Sequence, residues 1–434
     1  MFMNAVPFTH QKRSSRRSFL SKAALGISGS LLATSYDGLA NSMEKTSKPS
    51  APSDLKITDV KCGFIRNQHS LFVKIYTNQG IIGHGQAVDG VYGTYFVVKH
   101  LAQLHLIGQN PLNVHRLQEE MRRGGLFKGA QAGMYVCVMT ALETALWDLL
   151  GKALGVPVYQ LLGGKFRDKI RVYCDTAGSR LEPKEMGRRA KEDVDKYGFT
   201  AVKFDIDDRT DPNKLDPYNW SVSIRELKRM ESQIAAVREA VGPDIDICVD
   251  CHGRFDESAG MKMAKALEPY NLMWLEEPVP AEVPESYARI RESTTTPICG
   301  GENWYLTHGF RRPFELGAVD IIMPDLQKCG GLGEGQRIAN MANTYNVSFA
   351  PHMVAEYLGA MASAHVCASV PNFLILEWQI YYHESDMYKE VVKFDGSFLT
   401  KDGYIEVRNV PGIGVEINEE GMRKYATPGI PFFE

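Results

Sequence analysis

Short apolar runs alternate with longer amphipathic segments through most of the second half of this chain. In the segments between these runs, apolar residues recur at helical spacing, for example over residues 226–241 and 335–345. The runs have the length and apolar composition of buried strands, and they lie at residues 170–174, 201–204, 245–249, 272–275, 297–300, 321–323, 347–350 and 373–376. Eight successive β/α units predict an α/β fold, a TIM-type (β/α) barrel over residues 169–384, with its site at the C-terminal strand ends.

The pattern before this region is different. Residues 55–66 and 71–77 have strand composition, which predicts an antiparallel meander, and helical spacing takes over from about residue 95. We therefore expect an α+β domain over residues 55–168. The C-terminal segment, residues 385–434, contains strand-like runs rather than barrel helices, and we expect it to pack back on the first domain.

The N-terminus has the composition of a targeting segment. A basic stretch with Arg16 and Arg17 precedes a small apolar run at residues 23–33 and a group of small residues. This order resembles a twin-arginine export signal over residues 1–40, the alternative being a disordered basic tail. Residues 41–54 are rich in Pro and Ser and read as a linker. We expect a periplasmic protein without a membrane span, because the apolar run is too short to cross a bilayer.

Composition narrows the range of partners. The chain of 434 residues has a formal net charge of -3 and no Lys/Arg block outside its N-terminus, so nucleic acid and anionic membranes are not expected partners. Among its eight cysteines, Cys174, Cys248 and Cys299 lie inside apolar runs, where Cys is usually a small buried hydrophobe. We expect no obligatory disulfide and a small-molecule partner, while a homo-oligomer stays open.

Three carboxylates close three successive strand-like runs. Asp250, Glu276 and Glu302 follow one another at steps of 26 residues, the length of one strand, one loop and one returning helix. Each alone could be a helix cap or a solvated loop residue. At equal spacing on neighbouring strands they offer hard oxygen ligands that suit Mg²⁺ and leave coordination positions for water and substrate. The pattern predicts a magnesium site.

The next three runs also end in residues with chemical function, namely Asp325, His352 and Glu377. A carboxylate beside an imidazole fixes its tautomer and raises its basicity, so His352 is a candidate general base with Asp325 as its partner. A structural hydrogen-bonding role is the alternative for this histidine.

Side chains two residues apart on a strand share a face. We therefore expect the side chain of His252 to face the same mouth of the barrel as that of Asp250. Likewise, we expect Asp205 to face the same mouth as Lys203. His252 could act as an acid or serve only as a hydrogen-bonding neighbour. Because the third and seventh strands of an eight-stranded barrel lie opposite each other, His252 and His352 should approach a substrate from opposite sides.

Several motifs together carry a family resemblance. They are Ala-Leu-Glu-Thr-Ala-Leu-Trp-Asp-Leu at 141–149, Val-Lys-Phe-Asp at 202–205, Asp-Cys-His-Gly-Arg at 250–254, Leu-Glu-Glu-Pro at 275–278, Gly-Gly-Glu at 300–302, Pro-Asp at 324–325 and Ala-Pro-His at 350–352. With them the sequence resembles the enolase superfamily in its mandelate racemase-like group, and most closely the acid-sugar dehydratases of the galactonate, gluconate and mannonate type. The resemblance covers nearly everything from residue 55 onwards.

The resemblance implies a role for each of these residues. It implies a first domain that caps the barrel mouth, with loops 66–70 and 86–95 near the substrate. The implied site comprises Mg²⁺ on Asp250, Glu276 and Glu302, a His352/Asp325 dyad, and Glu377 hydrogen-bonding the substrate carboxylate. We further expect Lys203 to hold that carboxylate together with Glu377, and Asp205 and Arg254 are additional substrate-binding candidates.

One departure from the family pattern narrows the reaction. Racemases of this group carry a second Lys two residues after the first, and here Asp205 occupies that place. In related dehydratases a His after the first metal ligand assists loss of the 3-hydroxyl, and His252 matches it. The resemblance thus implies an Mg²⁺-dependent hydro-lyase of sugar-acid catabolism that gives a 2-keto-3-deoxy acid through an enediolate. A racemase or epimerase on the same platform and a binding protein without activity are the alternatives. Which sugar acid is used, and whether it carries a glycosidic substituent, stays open.

Overall fold

The computed structural model describes residues 54–89, 93–176, 178–214, 216, 218–397 and 399–434. The predicted export signal, residues 1–40, and the predicted linker up to residue 53 lie outside these residues and stay predictions. Within the described residues, the chain forms an N-terminal α+β part, then a barrel, then a tail.

The N-terminal part is an antiparallel sheet packed against helices. Its strands pair in the order β1-β2-β3, as the predicted meander requires. The elements are β1 (Ile57–Ile65), β2 (Ser70–Thr77), β3 (Ile82–Val88), α1 (Thr94–Leu101), α2 (Val114–Gly124), α3 (Gly133–Leu154) and α4 (Val158–Leu161). Short helical turns occupy Arg66–Gln68, Ala102–Leu106 and Leu126–Lys128.

Helix α3 is the core of this part. It is long and apolar enough to cross a membrane, but 83% of its apolar window is buried inside the protein, as in the core helix of a soluble domain. Gly83 and Gly85 of β3 allow the strand to approach it closely. A Cβ atom at Gly83 would lie 2.2 Å from the Ala145 carbonyl oxygen, and one at Gly85 would lie 2.1 Å from that of Ala141. Any larger residue would push the sheet off the helix.

The barrel follows as alternating parallel strands and helices. In the described residues its strands are β4 (Lys169–Asp175), β5 (Ala201–Asp205), β6 (Asp246–Asp250), β7 (Trp274–Glu276), β8 (Ile298–Gly300), β9 (Ile321–Ile322), β10 (Ser348–Phe349) and β11 (Leu376–Gln379). The helices between them are α5 (Pro183–Tyr197), α6 (Ile224–Val241), α7 (Glu257–Leu267), α8 (Pro284–Glu292), α9 (Leu306–Leu316), α10 (Leu332–Thr344) and α11 (Tyr357–Ser369), with a 3-10 turn at Glu268–Tyr270.

The sheet of the barrel closes on itself. Strand β11 pairs in parallel with β4, and the remaining strands pair in sequence order from β4 to β10. The gap between β10 and β11 is bridged by Phe349, whose N–H donates to the Asn372 carbonyl at 2.9 Å and whose carbonyl accepts from the Leu374 N–H at 2.8 Å. The predicted α/β fold with a TIM-type barrel and an α+β first domain is confirmed.

The tail contacts both preceding parts. It contains α12 (Tyr381–Glu384), α13 (Asp386–Glu390), β12 (Val392–Lys393), β13 (Tyr404–Glu406), β14 (Glu416–Ile417), α14 (Glu419–Met422) and the turn Arg423–Tyr425. Strand β13 pairs antiparallel with β4, and β12 pairs with β14. The N–H groups of Thr427 and Phe433 donate to the carbonyls of Phe64 and Cys62 at 2.8 Å each, which ties the end of the chain to β1.

All eight cysteines are free and buried. Burial raises the pKa of Cys62 and of Cys137 to about 12, so these thiols stay protonated and unreactive near neutral pH. This state agrees with the reading of the strand cysteines as small hydrophobic residues.

A buried histidine joins the three parts of the molecule. His365 in α11 accepts a hydrogen bond on Nδ1 from the N–H of Tyr159 in α4 at 3.1 Å, and its Nε2 lies 3.1 Å from the carbonyl oxygen of Ile413 in the tail. One acceptor and one donor nitrogen match the neutral imidazole. Burial lowers the pKa of His365 to about 4.

We expect His365 to make folding sensitive to acid. Its folded pKa lies below the ordinary value of about 6.5, so its contribution to stability is present above pH 6.5 and is lost as the pH falls toward 4. The free energy of unfolding, measured with guanidinium chloride, should fall by about 2 kcal/mol more between pH 7.5 and 5 in the wild type than in His365→Gln. The matched control His308→Gln, at an exposed position, should behave as the wild type. Equal pH dependence in His365→Gln and wild type would contradict this assignment.

Candidate active site

The residues predicted for the mouth of the barrel lie together at the C-terminal strand ends. Asp250 and Glu276 are the last residues of β6 and β7 and are partners in register, and Asp205 ends β5 beside Asp250. Asp205 is half-buried. The buried members of the group, which we call the carboxylate ring, are Lys203, Asp250, Glu276, Glu302, Asp325, His352 and Glu377.

Lys203 is the cation at the centre of this group. Its Nζ lies 3.0 Å from Asp250 Oδ2, 3.2 Å from Glu276 Oε1 and 2.9 Å from Glu377 Oε1. Burial alone would lower the pKa of this amine, but Glu276, Glu377 and Asp250 raise it well above its ordinary value. Lys203 is therefore an ammonium group that partly neutralises three buried carboxylates.

Glu276 and Asp250 interact directly. They face each other in register on β6 and β7 and both contact Lys203 Nζ, and Trp274 Nε1 donates to Glu276 Oε2 at 2.9 Å. Burial and the neighbouring Asp250 raise the pKa of Glu276 well above its ordinary value. Two carboxylates this close cannot both stay charged without a further cation.

His352 forms the predicted dyad. Its Nδ1 lies 2.8 Å from Asp325 Oδ2, and Asp325 Oδ1 accepts the Gln327 N–H at 2.7 Å, which fixes the carboxylate. The other ring nitrogen, Nε2, lies 2.8 Å from Glu302 Oε2 and 3.7 Å from Glu377 Oε2. Burial opposes protonation of the ring, but Glu302 and Glu377 raise the pKa of His352 well above its ordinary value. The Nε2 atom points into the carboxylate ring, where a substrate would bind.

His252 lies at the edge of the same mouth. Its backbone is left-handed (φ 48°), and its side chain is 35% exposed. Nδ1 lies 3.1 Å from Asp207 Oδ1, and Nε2 lies 3.7 Å from Asp250 Oδ2. Burial opposes the charged form, but Asp250 and Asp207 raise the pKa of His252 to about 11. Arg254, the other candidate of this loop, pairs with Asp207 and lies outside the buried ring.

Sequence reasoning missed some polar residues of the mouth. Asn303 Nδ2 donates to Glu277 Oε2 at 2.9 Å and to Glu302 Oε1 at 3.0 Å, and Lys328 Nζ lies 3.1 Å from Asn303 Oδ1. Asp207, which orients His252, was also missed. A usable signal was adjacency, because Glu277 and Asn303 directly follow Glu276 and Glu302 in the chain.

The residues of the mouth fit a divalent cation. Burial, and after it the nearby carboxylates, raise the pKa of Asp205 and of Glu277 to about 8, so a cation bound beside them would favour their charged forms. All the acidic ligands are hard oxygen donors, as Mg²⁺ prefers. Among the described residues, Asp205, Asp250 and His252 offer ligand atoms that all lie within 4.8 Å of one another. That group shares only Asp250 with the predicted set, so the assignment of Glu276 and Glu302 as ligands stays a prediction.

The fold and the site define a class of protein. Residues 43–163 match the mandelate racemase/muconate lactonizing enzyme N-terminal domain, and residues 185–421 match the enolase C-terminal domain-like family. The chain belongs to this group of the enolase superfamily, as its motifs indicated.

Individual relatives cover most of the chain. It is 34% identical to the D-xylonate dehydratase of Haloferax volcanii, over 92% of this chain and 96% of the relative. It is 35% identical to the D-galactonate dehydratase of Pectobacterium atrosepticum, over 81% and 89%. A crystal structure of a mandelate racemase/muconate lactonizing enzyme-like protein from Rubrobacter xylanophilus superposes with a TM-score of 0.82 at 40% identity, covering 88% of this chain and all of that one.

Proposed function

We propose that this protein is an Mg²⁺-dependent sugar-acid dehydratase, a hydro-lyase that converts an aldonate or similar acid to its 2-keto-3-deoxy product. The observation that carries the proposal is the position of two histidines at one mouth. His352 follows β10 and His252 follows β6, the seventh and third of eight strands, and each has its own carboxylate partner. Relatives named as dehydratases of D-xylonate and D-galactonate support the substrate class.

His352 is assigned as the base. Asp325 accepts from Nδ1 and leaves Nε2 as the atom that takes the C2 proton. Asp250, Glu276 and Glu302 would hold Mg²⁺, which when bound would neutralise Glu302, one of the carboxylates that raise the pKa of His352, and would stabilise the negative charge on the substrate carboxylate as C2 is deprotonated.

Two further residues hold the substrate carboxylate in this proposal. Lys203 supplies a buried ammonium group, and its contact with Glu377 at 2.9 Å places both side chains at one point of the ring. Glu377 Oε2 accepts the Met353 N–H at 2.9 Å, which fixes the carboxyl group beside Lys203. Burial raises the pKa of Glu377, the direction that favours a hydrogen bond from this group to a substrate carboxylate oxygen.

His252 is assigned as the acid. The carboxylates of Asp250 and Asp207 keep its ring protonated, and its exposed edge lies where the C3 hydroxyl of a substrate would reach. The C2–H bond breaks toward Nε2 of His352, a C2–C3 double bond forms, and the C3–O bond breaks as His252 donates a proton. Water leaves, and the enol becomes the 2-keto acid.

A panel of aldonates of all stereochemistries, including D-xylonate, D-galactonate and D-gluconate, tests the proposal with a 2-keto-acid assay in the presence and absence of Mg²⁺. We expect keto-acid product from at least one acid, only with the metal. Deuterium from the solvent at C2 of recovered substrate, without keto acid, would instead identify a racemase or epimerase. Binding without product and without metal dependence would identify a binding protein.

A further inference from the structure

The loop between β5 and α6 presents two aromatic side chains to solvent beside His252. In this loop Trp220 is 49% exposed and Tyr218 is 88% exposed. The loop is nonetheless anchored, because the Asp256 N–H donates to the Trp220 carbonyl at 2.8 Å and Ser223 forms a capping box with Glu226. Tyr and Trp present a flat apolar face together with a polar atom, which suits them to contact a ligand.

Two cavities meet at His252 and Trp220. One, of about 500 Å³, includes Asn303 and Glu277 and therefore adjoins the carboxylate ring. The other, of about 460 Å³, lies toward the aromatic loop and includes Tyr218, Asn219 and Arg254. His252, Gly253 and Trp220 line both. Each cavity alone falls within the about 300–1,000 Å³ of small-molecule sites, so together they offer more room than a single aldonate needs.

The charges of the cavity that contains Tyr218 favour a neutral, hydroxyl-rich ligand. Arg254 pairs with Asp207, and Lys214 pairs with Glu226 at 3.1 Å. Among the described residues that line this cavity, Arg209 alone is a cation without an ion pair, which is too little positive charge to favour a phosphate group. Asn219 and the paired charges offer hydrogen-bonding atoms, and Trp220 and Tyr218 offer flat apolar faces.

The direction of the substrate leads into this cavity. In the proposed function, on which this inference rests, the carboxylate, C2 and C3 lie over the buried ring, with His252 at the C3 oxygen. Carbons 4 to 6 must then extend outward past His252, because the ring behind them is filled by Lys203 and its carboxylate partners.

We infer that the substrate is an aldonate carrying a glycosyl residue on O4, O5 or O6, and that this residue stacks on Trp220 and Tyr218. A substituent at these positions leaves the C2 hydrogen and the C3 hydroxyl in place. The same C2–H and C3–O bonds break, water leaves, and the glycosidic bond stays intact.

Matched pairs of acids test this inference: D-gluconate against cellobionate and melibionate, and D-galactonate against its 4-O- and 6-O-galactosyl derivatives. We expect kcat/KM for a glycosylated acid to exceed that of its parent by about 10-fold or more, the equivalent of one good stacking contact. Trp220→Ala and Tyr218→Ala should each remove most of this ratio. Phe166→Ala is the matched control, because Phe166 is 66% exposed and precedes β4 at the opposite end of the barrel.

The inference would be overturned if the parent acids are turned over at least as well as the glycosylated acids and Trp220→Ala lowers turnover of both equally. The proposed function would remain intact in that case. If no acid yields a keto acid, the proposed function fails, and titration calorimetry with cellobionate and melibionate decides the inference separately. Binding of either that is weakened by Trp220→Ala but not by Phe166→Ala supports the glycosyl subsite. Absent binding, or binding unaffected by Trp220→Ala, rules it out.

Discussion

His352→Asn should reduce kcat by about 1,000-fold or more, within the range that a positioned general base contributes. Asparagine keeps the size and one hydrogen bond of the imidazole but cannot take a proton from C2. Exchange of the C2 hydrogen with solvent deuterium should be lost together with turnover, because both need the same base. Steady-state kinetics with the keto-acid assay and NMR of recovered substrate measure the two effects.

The control for this variant is His308→Asn, since His308 is exposed and outside the carboxylate ring. It should keep wild-type kcat. Thermal unfolding of both variants separates a chemical loss from a folding defect, because His352 also contacts Asp325 and Glu302. Full turnover by a folded His352→Asn protein would remove His352 from the mechanism.

Glu276→Gln should weaken Mg²⁺ binding strongly. Loss of a residue that only hydrogen-bonds to a metal ligand costs about 10–100-fold in affinity, and the loss of Glu276, a predicted ligand itself, should cost more. The amide is isosteric but has one acceptor oxygen, so it can accept from Trp274 or from Lys203 and not from both. The variant therefore loses one anionic oxygen ligand together with one of these two hydrogen bonds. Calorimetric titration with MgCl₂ measures affinity, and activity at saturating metal measures what remains. Chelation of the wild type with EDTA should abolish turnover, and added Mg²⁺ should restore it.

A comparison with Asp205→Asn separates the two candidate ligand sets. If Asp205→Asn abolishes metal binding while Glu276→Gln leaves it unchanged, the ion binds at the cluster of Asp205, Asp250 and His252, and the predicted set is wrong. Glu239→Gln, an exposed position on α6, serves as the matched control and should bind metal as the wild type does.

The strand-end residues were predictable because a β/α barrel turns spacing in the chain into position in space. Equal steps of 26 residues placed Asp250 and Glu276 on neighbouring parallel strands, and the structure pairs them in register. The same reasoning paired Asp325 with His352, whose contact is 2.8 Å. A parallel strand leaves little freedom at its C-terminal end, so local pattern and final position agree there.

Other contacts could not be predicted in this way. Glu302, which follows β8, contacts His352, which follows β10, across the intervening strand β9. Asp207 orients His252 from a loop, and His252 itself has a left-handed backbone conformation. Spacing along the chain does not specify either contact, because each depends on side-chain rotamers and on loop geometry. Trp220 lies in the loop between β5 and α6, where neither strand nor helix spacing applies.

Periodicity and strand-end chemistry were enough to define the barrel, its mouth and the residue types gathered there. The hydrophobic pattern locates each strand, and in successive β/α units the C-terminal ends of the parallel strands all lie on one side of the barrel. The distances within the mouth, the ion pairs of Lys203 and the two cavities that Trp220 lines were set by packing between segments far apart in the chain. Those contacts arise from the closure of the sheet and the anchoring of its loops, and short stretches of sequence do not encode either one.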